Sequence, residues 1–311
     1  MGLTHWDEVE SSRNARKHLS ATWTNLGSAA GSFRCGVSRI QMEPGEQPTP
    51  AHVHGEAEEL FYVLGGSGLT WMDGNTFEVR KGDCIVYKNF HEAHTLRGGD
   101  DGLDVLAFGA REYMPAGALP EAQVMWGIAG VIETSPYDEL HPWDREPVLD
   151  WPEPSARPQT IVNVADVEPE ARGSRKRRDL GRAVGSRWTG LKHVEAGPRT
   201  LVAPPHCHSA EEELFVVIGG DGALELTPAA GHGEPESHPV RRGSVVARPP
   251  GTGVAHTFRA GDAGLTLLAW GTREPNDICW YPRSQKIFWR GVGIMGRIER
   301  VDDYWEGEEL E

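Results

Sequence analysis

The chain repeats one short arrangement of histidine and glutamate, beginning at His52 and again, 154 residues later, at His206. Each copy reads His-x-His, four residues, then Glu, and continues into an apolar stretch that ends in Gly-Gly. A further histidine follows each copy within the sequence Ala-His-Thr. The candidate ligands are His52, His54, Glu59 and His94 in the first copy and His206, His208, Glu213 and His256 in the second. This repetition favours a duplicated unit with one polar site in each copy.

The spacing within each copy suits a metal site carried by β-strands. Side chains at positions i and i+2 of a strand point to the same face, so His52 and His54 can reach one ion while Val53 points away. Three imidazoles and one carboxylate predict an octahedral divalent-metal site with two open positions. Such donors suit Mn, Fe, Ni, Cu or Zn, and the absence of thiolate from the set argues against a closed structural zinc site.

The corresponding expectation is a divalent metal ion in each copy. The alternative is a pair of surface histidines, duplicated for packing reasons. That alternative does not account for a glutamate at the same offset and a third histidine in both copies.

The two copies resemble the motifs of the cupin superfamily, and their repetition resembles a bicupin. The first family motif is Gly, a short spacer, His-x-His, three or four residues, Glu, six residues and Gly, and it is similar to residues 45–66 and 197–220. The second motif is Gly, five residues, Pro-x-Gly, a short spacer and His, and it matches residues 243–256. The resemblance implies an all-β protein of two tandem cupin barrels, also described as double-stranded β-helices or jelly rolls.

The first copy departs from the second motif. Gly82 is followed by Lys88-Asn89-Phe90 where Pro-x-Gly is expected, and His91 is a rival to His94 as the third imidazole. We prefer His94 because His94-Thr-Leu-Arg-Gly-Gly-Asp aligns with His256-Thr-Phe-Arg-Ala-Gly-Asp in the second copy.

The resemblance divides the chain into four segments. We predict an N-terminal cupin lobe at 1–115, a connector rich in proline and tryptophan at 116–165, a C-terminal cupin lobe at 166–275, and an extension at 276–311 that packs on the barrels. The connector is too aromatic for a free tether, so we expect its tryptophans to pack, with the mouth of a metal site as one place for them. The lobes should pair side by side within the chain.

Further carboxylates and a thiol lie beside the predicted ligands. Strand alternation predicts that Glu58 and Glu212 point away from the metal and are solvated or structural. A general base beside the metal remains an alternative for these residues and for Glu56 and Glu211, because spacing alone does not decide it. Cys207 is expected to be a packed thiol that faces away from the metal.

Composition narrows the class of partner. The 38 glycines and 22 prolines fit short strands joined by turns. A net charge of −15 argues against nucleic acid or an anionic membrane as partner. The sequence contains no apolar run of about 18 residues, so we do not expect a membrane span. Four scattered cysteines and an N-terminus without a basic, apolar leader favour a cytoplasmic protein. The basic segment 172–178 is expected to be a solvated loop.

Open positions on the ion would allow binding of a bidentate oxyanion, enol or catechol, and of O2. The enzymes that these motifs resemble include dioxygenases, oxalate-type decarboxylases and oxidases, and sugar isomerases, so fold and donors do not select one reaction. The leading expectation is a dioxygenase-like oxidoreductase acting on a small organic acid or an aromatic or enol substrate. The alternatives are a non-redox decarboxylase, lyase or isomerase, and a metal-bearing small-molecule binding protein without turnover. A homo-oligomer is left open.

Overall fold

A computed structural model describes residues 2–55, 57–90, 92–111, 116–127, 141–229, 233–299, 301 and 305, and residues 130–133 by their backbone alone. His91 and Glu56, which the sequence offers as a rival ligand and as a further carboxylate, lie outside these residues. The short helices are α1, Leu26–Ala29, and α2, Leu180–Ala183, with 3-10 turns at Pro142–Arg145, Val164–Asp166 and Pro282–Ser284. No helix in the described ranges is both long and apolar enough to cross a membrane.

The strands form two series that correspond one to one in chain order. The first series is β1 Gly2–His5, β2 Ser11–Arg16, β3 Leu19–Asn25, β4 Cys35–Met42, β5 Val53–His54, β6 Glu59–Met72, β7 Asn75–Arg80, β8 Asp83–Tyr87, β9 His94–Ala110, β10 Gly117–Leu119, β11 Val124–Gly127 and β12 Gly130–Glu133. The second series is β13 Ile161–Asn163, β14 Glu170–Arg172, β15 Arg175–Asp179, β16 Gly190–Ala196, β17 Cys207–His208, β18 Glu213–Pro228, β19 Glu236–Arg241, β20 Ser244–Arg248, β21 Val254–Gly271, β22 Ile278–Tyr281, β23 Lys286–Trp289 and β24 Ile294–Arg297.

Each series contributes most of one eight-stranded antiparallel sheet, and the two sheets have the same strand order. The first barrel has the order β13-β8-β6-β9-β4-β3-β2, with β7 paired to β6. The second barrel has the order β1-β20-β18-β21-β16-β15-β14, with β19 paired to β18. The all-β class with two tandem barrels, expected from the sequence, is confirmed.

The first strand of each series completes the barrel of the other series. Strand β1 pairs with β20, so that Gly2 lies opposite Ala247. Strand β13 pairs with β8, so that Ile161 lies opposite Ile85. This reciprocal exchange crosses the domain limits proposed from the sequence, which stay predictions, and it joins the two barrels through backbone hydrogen bonds.

Two buried carboxylates strengthen the same junction. Glu212 accepts hydrogen bonds at 2.7–3.2 Å from the Ser32 hydroxyl and the backbone N–H groups of residues 33–35. In the reciprocal contact, Glu58 accepts bonds at 2.7–3.1 Å from residues 186–188. Both glutamates are buried, so the structural interpretation of them is confirmed and the solvated one is wrong. Several donors compensate each charge for its loss of water.

The largest hydrophobic core also spans the junction. Leu60 and Leu106 of the first barrel and Leu214 and Leu268 of the second are all fully buried in it. Burial of each such side chain contributes roughly 1.5–3 kcal/mol relative to exposure. The barrels therefore share one core, while each keeps a separate internal cluster of its own.

The Gly-Gly pairs that follow the ligand motifs allow the long strands to bend. The pairing of β6 with β9 shifts register around Gly66, and that of β18 with β21 shifts around Gly220. Both residues have a positive φ, +73° and +70°. A Cβ at either position would lie 2.1 Å from a backbone oxygen of the facing strand, so only glycine fits these bends.

Two small sheets extend the repeat beyond the barrels. The first cap, strands β10–β12, pairs through β10 with β5, and the second cap, strands β22–β24, pairs through β22 with β17. Strand β5 carries His54 and strand β17 carries His208. The predicted connector and C-terminal extension thus contain equivalent parts of the duplicated unit, each attached to a ligand-bearing strand.

The basic segment 172–178 lies in the hairpin β14–β15 for most of its length, so the expectation of a loop is wrong. The hairpin pairs through β15 with β16 of the second barrel, and its arginines meet acidic partners on neighbouring strands. Arg177 pairs with Glu170 across the hairpin, and Arg178 pairs with Glu195 of β16.

Candidate metal centres

The first candidate centre brings together all four side chains that the sequence proposes. The Oε2 atom of Glu59 lies 3.6 Å from Nε2 of His52, 3.1 Å from Nε2 of His54 and 3.1 Å from Nε2 of His94. One ligand atom from each of the four lies within 4.8 Å of the others. This is the compact set of nitrogen and oxygen donors that one divalent ion requires.

The second candidate centre has nearly the same dimensions. The Oε2 atom of Glu213 lies 3.5 Å from Nε2 of His206, 3.2 Å from Nε2 of His208 and 3.0 Å from Nε2 of His256. His206, Glu213 and His256 form one compact donor set, and His208 reaches the same carboxylate oxygen. All eight proposed ligands therefore lie in two equivalent clusters.

A local antiparallel bridge brings the distant third histidine beside the first. The backbones of His52 and His94 exchange hydrogen bonds of 3.2 and 3.0 Å, and those of His206 and His256 exchange bonds of 3.1 and 2.8 Å. Because directly opposite residues of such a pair point to the same face, each bridge aims two imidazoles into the barrel.

The ring nitrogens remote from the clusters are held by acceptors. In His52, His94 and His206, Nδ1 lies 2.8–3.1 Å from the backbone oxygen two residues earlier. In His208, Nδ1 lies 2.7 Å from Oδ2 of Asp277. A proton on Nδ1 donates to these oxygens and leaves the lone pair of Nε2 for a metal ion.

The electrostatics favour the ligating protonation states. Burial opposes ionisation of Glu59 and Glu213, but the surrounding imidazoles outweigh it and hold both carboxyl pKa values well below the usual range. Burial lowers the pKa of His94 and of His256 to about 4. Ionised carboxylate and neutral imidazole are the forms that bind metal. At His208, burial is outweighed by Glu213 and Asp277, which raise its pKa to about 10, so metal binding there would displace a proton.

The second cluster also contains polar atoms that a cation would satisfy. Nε2 of His208, Nε2 of His256 and Oε2 of Glu213 are buried without a well-aligned hydrogen-bond partner among the described residues. Buried polar atoms are normally paired. These three atoms converge on one point, as the ligands of a divalent ion do. The first cluster has the same geometry and could hold an ion in the same way.

The surroundings of the first cluster are apolar and aromatic. A cavity of about 540 Å³ adjoins His52 and is lined by Trp126 and Trp143, with Leu119 and Val124. The Trp126 ring meets the ring of His54 edge to face at 6.5 Å. Tryptophans of the predicted connector therefore lie at the mouth of this site, as the sequence suggests, because strand β10 of the first cap pairs with β5, which carries His54.

Tyr87 occupies the barrel wall beside the first cluster. Its backbone lies opposite Glu59 in the pairing of β6 and β8, and its ring stacks on His94 at 3.8 Å with planes 6° apart. Its hydroxyl lies 2.7 Å from the hydroxyl of Thr70. Both the ring face and the hydroxyl of Tyr87 therefore already have partners in the protein.

The surroundings of the second cluster carry more charge. Asp277, which orients His208, also accepts bonds from the backbone N–H groups of residues 210 and 211 at 3.0 and 3.1 Å. Arg290 forms an ion pair with Glu211 and lies 3.6 Å from Asp277. These paired charges therefore lie on the Nδ1 side of His208, away from the Nε2 that faces Glu213, and hold its ring in place.

Sequence reasoning did not identify Asp277, Cys279 or Arg248 at this site. Cys207 is buried, as expected, and belongs to neither donor cluster, whereas Cys279 of the second cap has its thiol within reach of His206 and His208. The signal for Cys279 was the aromatic, strand-like sequence after residue 278, which did not indicate the strand with which it pairs.

The all-β fold brings three imidazoles and one carboxylate together in each of two barrels. The cupin domain family matches residues 38–106. The fold is similar to that of Lactobacillus farciminis oxalate decarboxylase in a formate complex, with a TM-score of 0.62 and 12% identity, over 88% of this chain and 86% of that one. The family match falls within the first barrel, and the likeness to solved structures shows a fold of two tandem cupin barrels.

Two further comparisons agree on the fold. A variant of Bacillus subtilis oxalate decarboxylase aligns with a TM-score of 0.60 and 15% identity, over 88% of this chain and 77% of that one. A structure of the Bacillus subtilis enzyme described for its Mn(II) centres has a TM-score of 0.58 and 14% identity over the same shares. At such identities the likeness shows the fold.

One curated sequence resembles a short part of the chain. An uncharacterized protein of Methanocaldococcus jannaschii is 49% identical over 37 residues, which are 12% of this chain and 30% of that protein. The match spans less than a third of that protein's length.

Proposed function

We propose that this bicupin is a metal-dependent enzyme and that it acts as a non-redox lyase, cleaving or decarboxylating a small organic acid. The observation that carries the proposal is the convergence of three Nε2 atoms on one buried carboxylate oxygen in each barrel. The oxalate decarboxylases that share the fold favour this alternative over the dioxygenase-like reaction that the sequence placed first.

The residues of the two clusters have distinct tasks in this proposal. His52, His54, Glu59 and His94, and their four counterparts, would hold the ion, which when bound supplies Lewis-acid polarisation of a substrate oxygen. The acceptors at Nδ1 keep the imidazoles oriented. Burial of His94 and His256 limits water around the ligands and strengthens electrostatic contacts with a bound acid.

The test combines metal analysis with assays under anaerobic conditions. Protein loaded with Mn is incubated with oxalate and other small acids, and CO2 and the residual acid are measured. Turnover without oxygen, lost when Glu59→Gln and Glu213→Gln are combined, is the expected result. Oxygen uptake in step with substrate loss would contradict the lyase. Ligand-dependent melting shifts without product, whichever metal is supplied, would instead indicate a binding protein.

The aromatic cavity beside the first cluster favours a second candidate function, the dioxygenase-like oxidation of an aromatic or enol substrate. A cavity of about 540 Å³ lined by Trp126 and Trp143 exceeds the needs of a two-carbon acid, and it suits a ring that can stack. Catechol-dependent oxygen uptake that is lost in Glu59→Gln and retained in Glu213→Gln would support this function at the first site.

Several expectations remain predictions. They are the cytoplasmic location, the lack of nucleic-acid and membrane partners, and the possible homo-oligomer. Light scattering of the metal-loaded protein would determine its oligomeric state.

A further inference from the structure

Arg248 faces the second cluster from the barrel wall. It is the last residue of β20, and its backbone lies directly opposite Glu213 in the pairing of β18 and β20. Directly opposite residues in an antiparallel pair carry their side chains on the same face. The corresponding position in the first barrel is held by Tyr87, opposite Glu59. The duplicated fold therefore places an arginine at one cluster where the other has a tyrosine.

The guanidinium of Arg248 is buried with little compensation. The residue is only 4% exposed. One of its terminal nitrogens donates to the backbone oxygen of Val254 at 2.9 Å, but its Nε has no hydrogen-bond partner among the described residues. Its charge is felt by Glu213 and His256, yet the described ion pairs of Glu213 are all with histidines.

The other charges near the second cluster are already occupied. Glu211 is paired with Arg290, and Asp277 binds His208 and lies near the same arginine. Neither carboxylate forms a described ion pair with Arg248. A buried charge without a hydrogen-bonded counter-charge is costly. An anion bound at this site would therefore be stabilised by the unpaired guanidinium of Arg248.

Arginine is well suited to that anion. Its planar fork matches a carboxylate and stays charged even when buried. The metal ion expected at the same cluster adds positive charge beside it. Tyr87 offers no comparable group at the first cluster, because its hydroxyl is engaged by Thr70 and its face by His94.

We propose that Arg248 is the carboxylate-binding residue of the second site and makes that site selective for a small anionic acid, in contrast to the first. The inference rests on the proposed function and deepens it, because it names the residue and the substrate class for one of the two sites. Arg248 would contact a carboxylate held at the cluster through its guanidinium, whose Nε the described residues leave unpaired.

The test isolates the second site and measures binding directly. A His52→Ala background, loaded with Mn, is titrated with oxalate by calorimetry, and metal content is measured on the same samples. Arg248→Met should weaken oxalate binding about tenfold or more, the effect of losing a hydrogen bond between charged groups. Arg248→Lys should retain part of the affinity because it keeps the charge but loses the fork.

A matched control removes a different arginine from the same barrel. Arg259 already has Glu225 as an ion-pair partner, so Arg259→Met should leave oxalate affinity unchanged. Unchanged oxalate affinity in Arg248→Met at full metal content would overturn this inference and leave the proposed function standing. Loss of metal together with oxalate in both Arg248 variants would also overturn it, by assigning Arg248 to support of the metal site. No binding of oxalate, formate or malonate by the loaded wild type would overturn the proposed function itself.

Discussion

The two barrels hold the same four donors in nearly the same geometry but surround them with different chemistry. The first cluster opens beside a tryptophan-lined cavity, whereas the second is backed by Glu211 and Asp277, which pair with Arg290 and His208. The corresponding pairs of residues are Ala57 and Glu211, Tyr87 and Arg248, Gly117 and Cys279, and Trp126 and Phe288. The histidine–glutamate pattern is the same in both barrels, and the side chains around it differ.

One of these differences shows how a single glycine changes a site. A Cβ on Gly117 would lie 2.1 Å from the ring of Trp126, so the indole occupies space that a side chain would need. In the second cap, Cys279 fills the equivalent position opposite Phe288. The presence of glycine thus allows an aromatic wall at the first site, and the presence of cysteine places a thiol at the second.

The largest effect is expected when the metal is removed from one site at a time. His52→Ala removes one of four donors, so the first site should lose its metal while the second stays loaded. His206→Ala should give the converse result. Metal analysis after dialysis measures both, and simultaneous loss of both ions from either variant would contradict two independent sites.

The next effect concerns the junction that both barrels share. Glu212→Ala leaves the backbone N–H groups of residues 33–35 without their acceptor, and each unsatisfied donor costs about 1–3 kcal/mol. The free energy of unfolding should fall by about 3 kcal/mol or more in denaturant titrations. Glu58→Ala, the matched variant, should cost a similar amount. A cost below about 1 kcal/mol for either would reject its role in the junction.

A smaller and one-sided effect is expected from the partner of His208. Asp277→Asn weakens the contact that orients this imidazole, and loss of such a partner reduces metal affinity about 10–100-fold. The first site, whose described histidine acceptors are backbone oxygens, should keep its affinity. Competition with a fluorescent chelator would measure both sites, and equal weakening of the two would show that Asp277 acts on the fold as a whole.

The smallest effect is expected at the aromatic wall of the first site. In a His206→Ala background, Trp126→Ala should weaken catechol binding to the loaded protein by about 0.5–1.5 kcal/mol, the value of an aromatic pair. Phe288→Ala, at the equivalent position in the second cap, is the control and should have no effect. Equal losses in both variants, measured by calorimetry, would remove the distinction between the two walls.

Local sequence was sufficient to predict that these histidines and glutamates cluster, because the alternation of strand side chains relates His52 to His54 and the repeat supplies an independent copy. The choice of His94 depended on alignment with His256, and the structure brings both into the clusters. The basic segment was misjudged as a loop because its partners, such as Glu195, lie on another strand.

The sequence by itself determined the all-β class, the duplication and the two histidine–glutamate clusters, since these depend on short-range periodicity and on motifs repeated along the chain. The tertiary structure alone decided the exchange of β1 and β13, the burial of Glu58 and Glu212, and the placement of Asp277 and Arg248. Glu212 meets Ser32 across 180 residues and His208 meets Asp277 across 69. Such contacts are set by sheet register and by packing of the two barrels, which no local pattern encodes.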